Sequence, residues 1–161
     1  MRHSSLIRLS HDHHHGLALA LRCRKQALGQ LKPMGAQGLS ERAEEVRNFV
    51  GVNLRPHFQV EEELLFPLMR ALVPQSQQLI EELLTEHERI RDITDRLAES
   101  SGLAKLLFDL GDLLERHIRR EERELFPLFE RHVPAAEAEG MRREMEKILP
   151  EQNSQGGPRS S

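Results

Sequence analysis

Length, composition and charge limit what this chain can be. Its 161 residues suit one domain, because they can bury a real core but are too few for two comfortable ones. With 38 % hydrophobic and 30 % charged residues, and neither Trp nor Tyr, the composition is typical of a soluble, strongly helical protein. The formal net charge of −3, with basic and acidic residues interleaved, gives no electrostatic reason to expect nucleic-acid binding.

The sequence indicates a cytoplasmic location. No apolar stretch near the N-terminus resembles a signal peptide, and the longest uncharged apolar run, at 16–21, is much too short to span a bilayer. Cys23 has no second cysteine to pair with, which suits a reducing compartment. We expect Cys23 to be a small buried hydrophobe and not a nucleophile.

The first two helices are predicted on either side of a Gly/Pro-rich linker. The first runs from about Ser10, a candidate N-cap with Asp12 in its first turn, to about Leu28. The second begins after Ser40 and continues to about residue 68. Pro56 lies inside it, and because an interior proline costs ~3 kcal/mol we expect a kink there.

Two more long helices and a shorter one follow. The third is predicted at about 76–97 and the fourth at about 103–130. A short fifth helix is predicted at 135–149, where it either packs across the bundle or mediates self-association. Short linkers favour antiparallel neighbours, so the predicted fold class is all-α, an up-down four-helix bundle. A single domain is predicted at 1–149. The polar tail at 150–161 is predicted to be disordered.

One passage occurs twice, at 57–74 and 117–134, with 9 of 18 positions identical and no gap. Both copies place a histidine four residues before a glutamate, His57 before Glu61 and His117 before Glu121. On a helix the two side chains of each pair share one face. A duplicated imidazole and carboxylate is what a binuclear metal centre requires, since each carboxylate can bridge two cations. Both copies also contain Leu-Phe-Pro, which predicts core packing by the aromatic ring and a proline that ends or bends the helix.

A histidine also interrupts the aliphatic stripe of the third helix. His87 lies among Leu83, Leu84 and Ile90, as His57 and His117 do in their own stripes. Burying an unpaired imidazole costs several kcal/mol, so inward-facing polar groups need partners. Metal ions would satisfy all of them together.

These residues carry a family resemblance. The two His-x-x-x-Glu pairs, each followed by Glu-x-x-Leu-Phe-Pro, together with the acidic-His pairs Asp12-His13 and Glu86-His87, resemble the hemerythrin-like HHE cation-binding domain over about residues 6–134. The resemblance implies a four-helix bundle with a non-haem di-iron centre. It assigns terminal metal ligands and bridging carboxylates, here His57, His87 and His117 as terminal ligands and Glu61 and Glu121 as bridges.

The ligand on the first helix is open between two residues. Four histidines lie within five residues there, and neighbouring helical positions differ by about 100°, so they cannot all face the core. His14 stands three residues before Leu17 and seven before Leu21, as His87 stands three before Ile90, whereas His13 follows an acidic residue. We favour His14 slightly as the ligand on the first helix and retain His13 as the alternative. The one not bound is expected to support the centre or, with Glu62 or Glu122, to add a ligand.

The sequence departs from the oxygen-carrying hemerythrins at one position. Those proteins have a His-x-x-x-His pair on the third helix, whereas Arg91 stands four residues after His87. One fewer nitrogen ligand would leave coordination positions open. The oxygen carriers also place the fourth-helix carboxylate where this chain has Glu122, next to Glu121. We expect Glu62 and Glu122 to be solvated or ion-paired.

Ligand chemistry favours iron. Imidazole and carboxylate donors without thiolate suit two non-haem Fe ions, or manganese, better than zinc. The leading functional hypothesis is a protein that binds, senses or scavenges dioxygen, nitric oxide or peroxide, as in a stress response. The alternatives are enzyme-like turnover of peroxide or donation of iron for iron–sulfur cluster repair, and cation storage. We expect no nucleic-acid or membrane partner, a separate protein partner for a sensor, and a monomer or homodimer.

Overall fold

Five helices make up the part of the chain that the structure, a computed structural model, describes, residues 2–99 and 101–149. Helix α1 spans Ser4–Ala27. Helix α2 is one continuous run whose successive segments are Gly35–Phe49, Val50–Leu54, Arg55–Val60, Glu61–Leu65 and Phe66–Leu72. The predicted tail at 150–161 lies outside the described residues.

The second half of the chain repeats this pattern. Helix α3 spans Gln77–Arg96, between short 3-10 turns at Pro74–Ser76 and Leu97–Glu99. Helix α4 is again continuous, and α5 closes the fold at Ala135–Ile148. The segments of α4 are Leu103–Arg120, Glu121–Leu125 and Phe126–His132. Residues 2–99 and 101–149 contain no strand, so the predicted all-α class is confirmed.

Helix α1 begins six residues earlier than predicted, and Ser10 is not its N-cap. The backbone N–H of Ser5 donates to Nδ1 of His3 at 3.0 Å, so an imidazole replaces the usual hydroxyl or carboxylate cap. Ser10 lies inside the helix, where its hydroxyl donates to Glu122 at 2.6 Å. Asp12 is consequently buried in the middle of α1, beyond the first turn.

Helix α2 also starts before the predicted Ser40. Its first residue, Gly35, has a φ of 70°, a left-handed conformation that glycine adopts without strain. Gln26 at the end of α1 fixes the linker, because its amide donates to the carbonyls of Leu31 and Pro33 at 3.0 and 2.9 Å. A Cβ on Gly38 would lie 1.7 Å from the Pro33 carbonyl oxygen, so only glycine fits this approach.

The prolines inside α2 and α4 do not end these helices. Pro56, Pro67 and Pro127 each come two residues after a π-helical turn, and the helix continues beyond all three. In these turns the N–H of Phe66 donates to Glu61 and that of Phe126 to Glu121, five residues back. A proline lacks an N–H and its ring clashes with the carbonyl four residues back, so a wider turn accommodates it. The Leu-Phe-Pro repeat therefore marks a π turn that begins at the paired glutamate.

The bundle is up-down, since residue numbers rise along one helix as they fall along its neighbour: Asp12 and then Arg22 of α1 pair with His57 and then Glu45 of α2. An ion pair joins each pair of neighbouring helices, and α4 closes against α1. The four pairs are Arg22–Glu45 at 2.6 Å, Arg91–Glu62 at 2.9 Å, Arg120–Glu82 at 2.5 Å and Arg24–Glu115 at 2.7 Å. The predicted antiparallel bundle is confirmed.

Two apolar cores fill the bundle, one on each side of a polar layer. The first includes Phe58 with leucines and isoleucines of α1, α3 and α4. The second includes Phe66 and Phe126, and α5 adds Met141 and Met145 to it. Helix α5 thus packs across one end of the bundle, the first of the two roles considered for it. On α1 the cores are separated at residues 10–16, and on α3 at 85–89.

Cys23 lies in the first core. Burial raises the pKa of its thiol to about 12, so it stays protonated and unreactive at neutral pH. Among the described helices, none combines the length and the apolar character needed to cross a membrane.

Close packing of α1 on α4 depends on Gly111. A Cβ there would lie 2.6 Å from the Ala20 carbonyl oxygen, which is backbone and cannot easily move, whereas a Cβ on Gly140 in α5 meets nothing within 4 Å. We expect Gly111→Ala to lower the free energy of unfolding by about 1–3 kcal/mol through overpacking. Gly140→Ala should leave that free energy unchanged or raise it by ~0.5–1 kcal/mol through lower chain entropy. Urea unfolding of both variants tests this, and equal stability would contradict the close approach.

Candidate metal centre

Six buried side chains from α1, α2, α3 and α4 meet in the polar layer. They form two overlapping groups of four, within each of which one ligand atom per residue lies within 4.8 Å of the others. Glu61 and Glu121 belong to both groups. The first group adds His13 and His57, and the second adds His87 and His117. The layer therefore has the composition of a two-ion site with two shared carboxylates.

Each shared carboxylate points one oxygen toward each group. In Glu61, Oε2 lies 3.0 Å from Nε2 of His57 and Oε1 lies 2.9 Å from Nε2 of His87. In Glu121, Oε1 lies 3.0 Å from Nε2 of His13 and Oε2 lies 3.2 Å from Nε2 of His117. This is the arrangement of a carboxylate that bridges two cations.

Most of these inward atoms lack a hydrogen bond. The side chains are at most 2 % exposed, yet only the contact of His57 Nε2 with Glu61 Oε2 meets both the distance and the angles of a hydrogen bond. Within residues 2–99 and 101–149 the inward atoms without such a partner are His13 Nε2, His87 Nε2, His117 Nε2, Glu61 Oε1 and both carboxylate oxygens of Glu121. Unpaired buried polar atoms are costly, and cations between them would satisfy them all.

The outward nitrogen of every histidine is held by a second carboxylate. Because Nδ1–H donates to a carboxylate, each ring in its neutral form has its lone pair on Nε2, facing inward. The four hydrogen bonds are His57 Nδ1 to Asp12 at 3.0 Å, His87 Nδ1 to Glu62 at 2.7 Å, His117 Nδ1 to Glu86 at 2.7 Å and His13 Nδ1 to Glu122 at 2.6 Å.

The sequence of this chain matches a known protein family whose members bind cations. Residues 3–129 match the Hemerythrin HHE cation binding domain. The chain belongs to this family. No curated protein and no solved structure matches the chain. The match includes all six buried side chains of this HHE domain, on α1, α2, α3 and α4.

The structure brings together six of the seven residues predicted from the sequence, but not His14. His13 is 2 % exposed and lies in the first group, whereas His14 is exposed. The slight preference for His14 relied on its spacing to Leu17 and Leu21, but Leu21 is 45 % exposed and does not mark the core. Because neighbouring positions are about 100° apart, only one of the two histidines can face inward.

Sequence reasoning missed the role of the outer carboxylates. We expected Glu62 and Glu122 to be solvated or ion-paired, but each also accepts a hydrogen bond from a buried histidine. A signal was present, since Asp12 and Glu86 each precede a histidine of the site, and Glu62 and Glu122 each follow a shared glutamate. The partner of each carboxylate lies on another helix, which a single-helix pattern does not reveal.

Arginines hold three of the outer carboxylates in place. Arg91 donates to Glu62 at 2.9 Å, and Arg120 donates to Glu86 at 3.0 Å. Arg2 contacts Glu122 at 3.1 Å. In this HHE domain, Arg91 thus acts from outside the cluster, where the oxygen carriers have a further histidine. Because the arginines keep the carboxylates charged, the imidazoles stay oriented.

Aromatic rings cover the layer on both sides. Phe58 stacks on His87 with ring centroids 3.7 Å apart and an interplanar angle of 15°, and Phe126 stacks on His13 at 5.5 Å and 13°. Arg91 and Arg2 lie over the outer faces of these two phenylalanines, at 5.3 and 5.4 Å from the ring centres. The rings limit water access and hold the imidazoles in position.

In the HHE domain without metal, burial and neighbouring charges shift the pKa values of three buried side chains. Burial, then the charge of Glu121, raises the pKa of Glu61 to about 8. Burial alone would lower the pKa of His117, but the charge and close contact of Glu121 and the hydrogen bond to Glu86 raise it to about 10. Burial opposes ionisation of Glu121 too, yet contacts with His117 and His13 keep its pKa well below the ordinary value.

The donor set fits a cation of intermediate hardness. Four imidazole nitrogens and two carboxylates converge, and the chain's single thiol, Cys23, lies in the first apolar core. Structural zinc sites usually contain cysteines, whereas mixed nitrogen and oxygen sites suit iron and manganese. The buried His and Glu groups therefore fit the cation binding that characterises the family.

Metal binding should release protons. At pH 7 the metal-free domain holds a proton on Glu61, with a pKa of about 8, and on His117, with a pKa of about 10, and both must leave when the side chains bind a cation. We expect these two groups together to release about two protons, so the apparent affinity for Fe(II) rises as the pH rises from 6 to 8. Anaerobic calorimetry in buffers of different ionisation enthalpy counts the protons. An affinity independent of pH would contradict this protonation state.

The hydrogen bond from His117 to Glu86 should strengthen metal binding. We expect Glu86→Ala to lower the affinity for Fe(II) by roughly 10- to 100-fold, because the imidazole loses its orienting carboxylate. Glu82→Ala is the matched control, since Glu82 lies one turn away on α3 and contacts Arg120 but is not hydrogen-bonded to His117. Competition with a calibrated chelator measures both affinities. Equal losses in the two variants would show that the effect is not specific to the histidine.

Proposed function

We propose that this protein binds two non-haem iron ions and, at them, binds, senses or scavenges dioxygen, nitric oxide or peroxide. One observation carries the proposal, namely the two groups of ligand atoms that share Glu61 and Glu121. Such sharing supports two ions held close together by bridging carboxylates. In this proposal His13 and His57 bind one ion, and His87 and His117 bind the other.

The number of donors supports an open site. Two imidazoles and two shared carboxylates supply four donor atoms to each ion, fewer than the six of octahedral coordination. Arg91 stands where the oxygen carriers have a further histidine, and its guanidinium pairs with Glu62. Iron with open positions supplies reversible binding of small ligands and one-electron chemistry.

The protein's own residues determine which ligands can reach such a site. The two shared glutamates are fully buried, and Phe58, Phe66 and Phe126 are at most 2 % exposed beside the histidines. A buried site walled by rings favours diatomic molecules and peroxide over larger substrates. The carboxylates on Nδ1 keep the imidazoles from turning when a ligand binds or leaves.

The proposal extends to location and partners. We place the protein in the cytoplasm, as a monomer or homodimer, with no nucleic-acid or membrane partner. A sensing role requires a separate protein partner, whereas a scavenging role does not.

Metal stoichiometry tests the di-iron centre. Anaerobically reconstituted protein should bind about two irons per chain, and His13→Ala should reduce that number because His13 points to the shared carboxylates. His14→Ala is the matched control, since this neighbouring histidine is exposed and should leave the stoichiometry unchanged. Glu61→Ala together with Glu121→Ala should abolish binding of the pair. If the double variant kept two irons, we would abandon the centre.

Stopped-flow spectroscopy of the reduced, iron-loaded protein separates the possible roles. Mixing with dioxygen or nitric oxide should produce a stable adduct spectrum if the protein senses or carries the ligand. Catalytic loss of excess peroxide, absent in His13→Ala but kept in His14→Ala, would support scavenging. Protein that binds two irons but gives neither signal would contradict the proposed reactivity and leave cation storage.

A further inference from the structure

A second candidate site lies outside the metal layer, between α2 and α3. It is a cavity of about 440 Å³, within the range of small-molecule pockets. The π-helical turn Val50–Leu54 forms part of one wall, and such turns are frequent at functional sites. Residues from both helices line it, including Arg47, Arg55, Arg91, Asp95, Val50 and Phe58.

The charge of the lining favours an anion. The lining contains three arginines but only one carboxylate, that of Asp95. In the part of the chain that the structure describes, the Arg55 guanidinium has neither an ion pair nor a hydrogen bond, and that of Arg47 is 3.4 Å from an exposed glutamate. Arginines bind carboxylates and phosphates through paired, charge-assisted hydrogen bonds. Two of the three guanidiniums are therefore available to an oxyanion.

The inner part of the cavity is apolar. Phe58 is 2 % exposed and Val50 is 7 % exposed, and both contribute to the lining. A charged rim with an apolar floor suits a ligand that has an oxyanion group on a small hydrocarbon body. Inorganic phosphate or chloride would use the rim but not the floor.

We propose that this cavity binds a small organic anion and that its occupancy acts on His87 through Arg91 and Glu62. The second half of the proposal rests on the metal-binding function proposed above, whereas the first half does not. Neither half involves the open positions of the metal centre itself.

Arg91 is the physical link between cavity and metal layer. It lines the cavity and donates to Oε2 of Glu62 at 2.9 Å. The same oxygen is 2.7 Å from Nδ1 of His87. An anion that draws the guanidinium away leaves Glu62 bonded to His87 alone. That carboxylate then becomes a stronger acceptor and holds the Nδ1–H of His87 more tightly.

Phe58 gives a second connection. Its ring stacks on His87 and also forms part of the cavity floor. A ligand pressing on this ring is one side chain away from an imidazole of the proposed centre. The pocket is therefore placed to influence the metal ligands without touching the metal.

Binding to the metal-free protein tests the first half. We expect calorimetry to detect benzoate or phenyl phosphate, and Arg55→Ala to weaken binding roughly tenfold or more, as expected for loss of a charge-assisted hydrogen bond. Gly51→Leu should block binding, since Gly51 lines the cavity and a Cβ there meets nothing within 4 Å, so the fold is kept. Arg131→Ala, an exposed arginine on α4, is the control and should have no effect.

Three outcomes would contradict the proposal that the cavity binds a small organic anion. These are no binding of either aromatic anion to the wild type, equal weakening by Arg55→Ala and Arg131→Ala, and inorganic phosphate binding as tightly as phenyl phosphate. The first shows no site, the second shows only general charge attraction, and the third shows that the apolar floor plays no part. Circular dichroism of Gly51→Leu confirms that the variant is folded.

Spectroscopy of the iron-loaded protein tests the link to His87. We expect benzoate to shift the visible absorption of the wild type with the dissociation constant that calorimetry gives for the metal-free protein. Gly51→Leu, loaded with the same amount of iron, should show no shift. Binding without a spectral change would overturn the link, as would a shift retained in Gly51→Leu, which would indicate binding at the metal itself. Because binding is measured without metal, failure of the di-iron proposal would not be mistaken for failure of the pocket.

Discussion

The whole bundle is organised around a layer of buried histidines and glutamates, most of whose inward atoms have no hydrogen-bond partner. Glu61 and Glu121 are fully buried side by side, with four imidazoles directed at them and few hydrogen bonds to stabilise the arrangement. Apolar packing continues on both sides of the layer, so the helices cannot move apart to hydrate it without exposing two cores. The protein thus uses folding energy from its cores to hold ligands in a costly arrangement, which a cation would relieve.

Helix geometry explains how much could be predicted. His57 with Glu61, and His117 with Glu121, are four residues apart on one helix, so the sequence predicted that each pair would lie together. His87 was predicted because it interrupts an aliphatic stripe. The layer's composition and the bundle followed from these local patterns and from the family resemblance.

The remaining features were not evident from the hydrophobic periodicity of single helices. The choice between His13 and His14 turned on which side of α1 faces α4, and the hydrophobic but half-exposed Leu21 gave the wrong indication. The beginning of α1 was missed because an imidazole, not a hydroxyl or carboxylate, caps it. The Leu-Phe-Pro prolines were expected to end or bend their helices, and neither ends its helix, because a π turn before each one accommodates the missing N–H.

The outer hydrogen bonds have a consequence for the origin of this architecture. Asp12 on α1 holds His57 on α2, Glu62 on α2 holds His87 on α3, and so on through Glu86 and Glu122 back to α1, in a closed ring. Two of these bonds lie within a helix pair, and two join one pair to the other. Two identical copies of a single helix pair would close the same ring as a symmetric dimer. The repeat in the sequence is therefore what duplication of one gene for a helix pair, and fusion of the two copies into one chain, would leave behind.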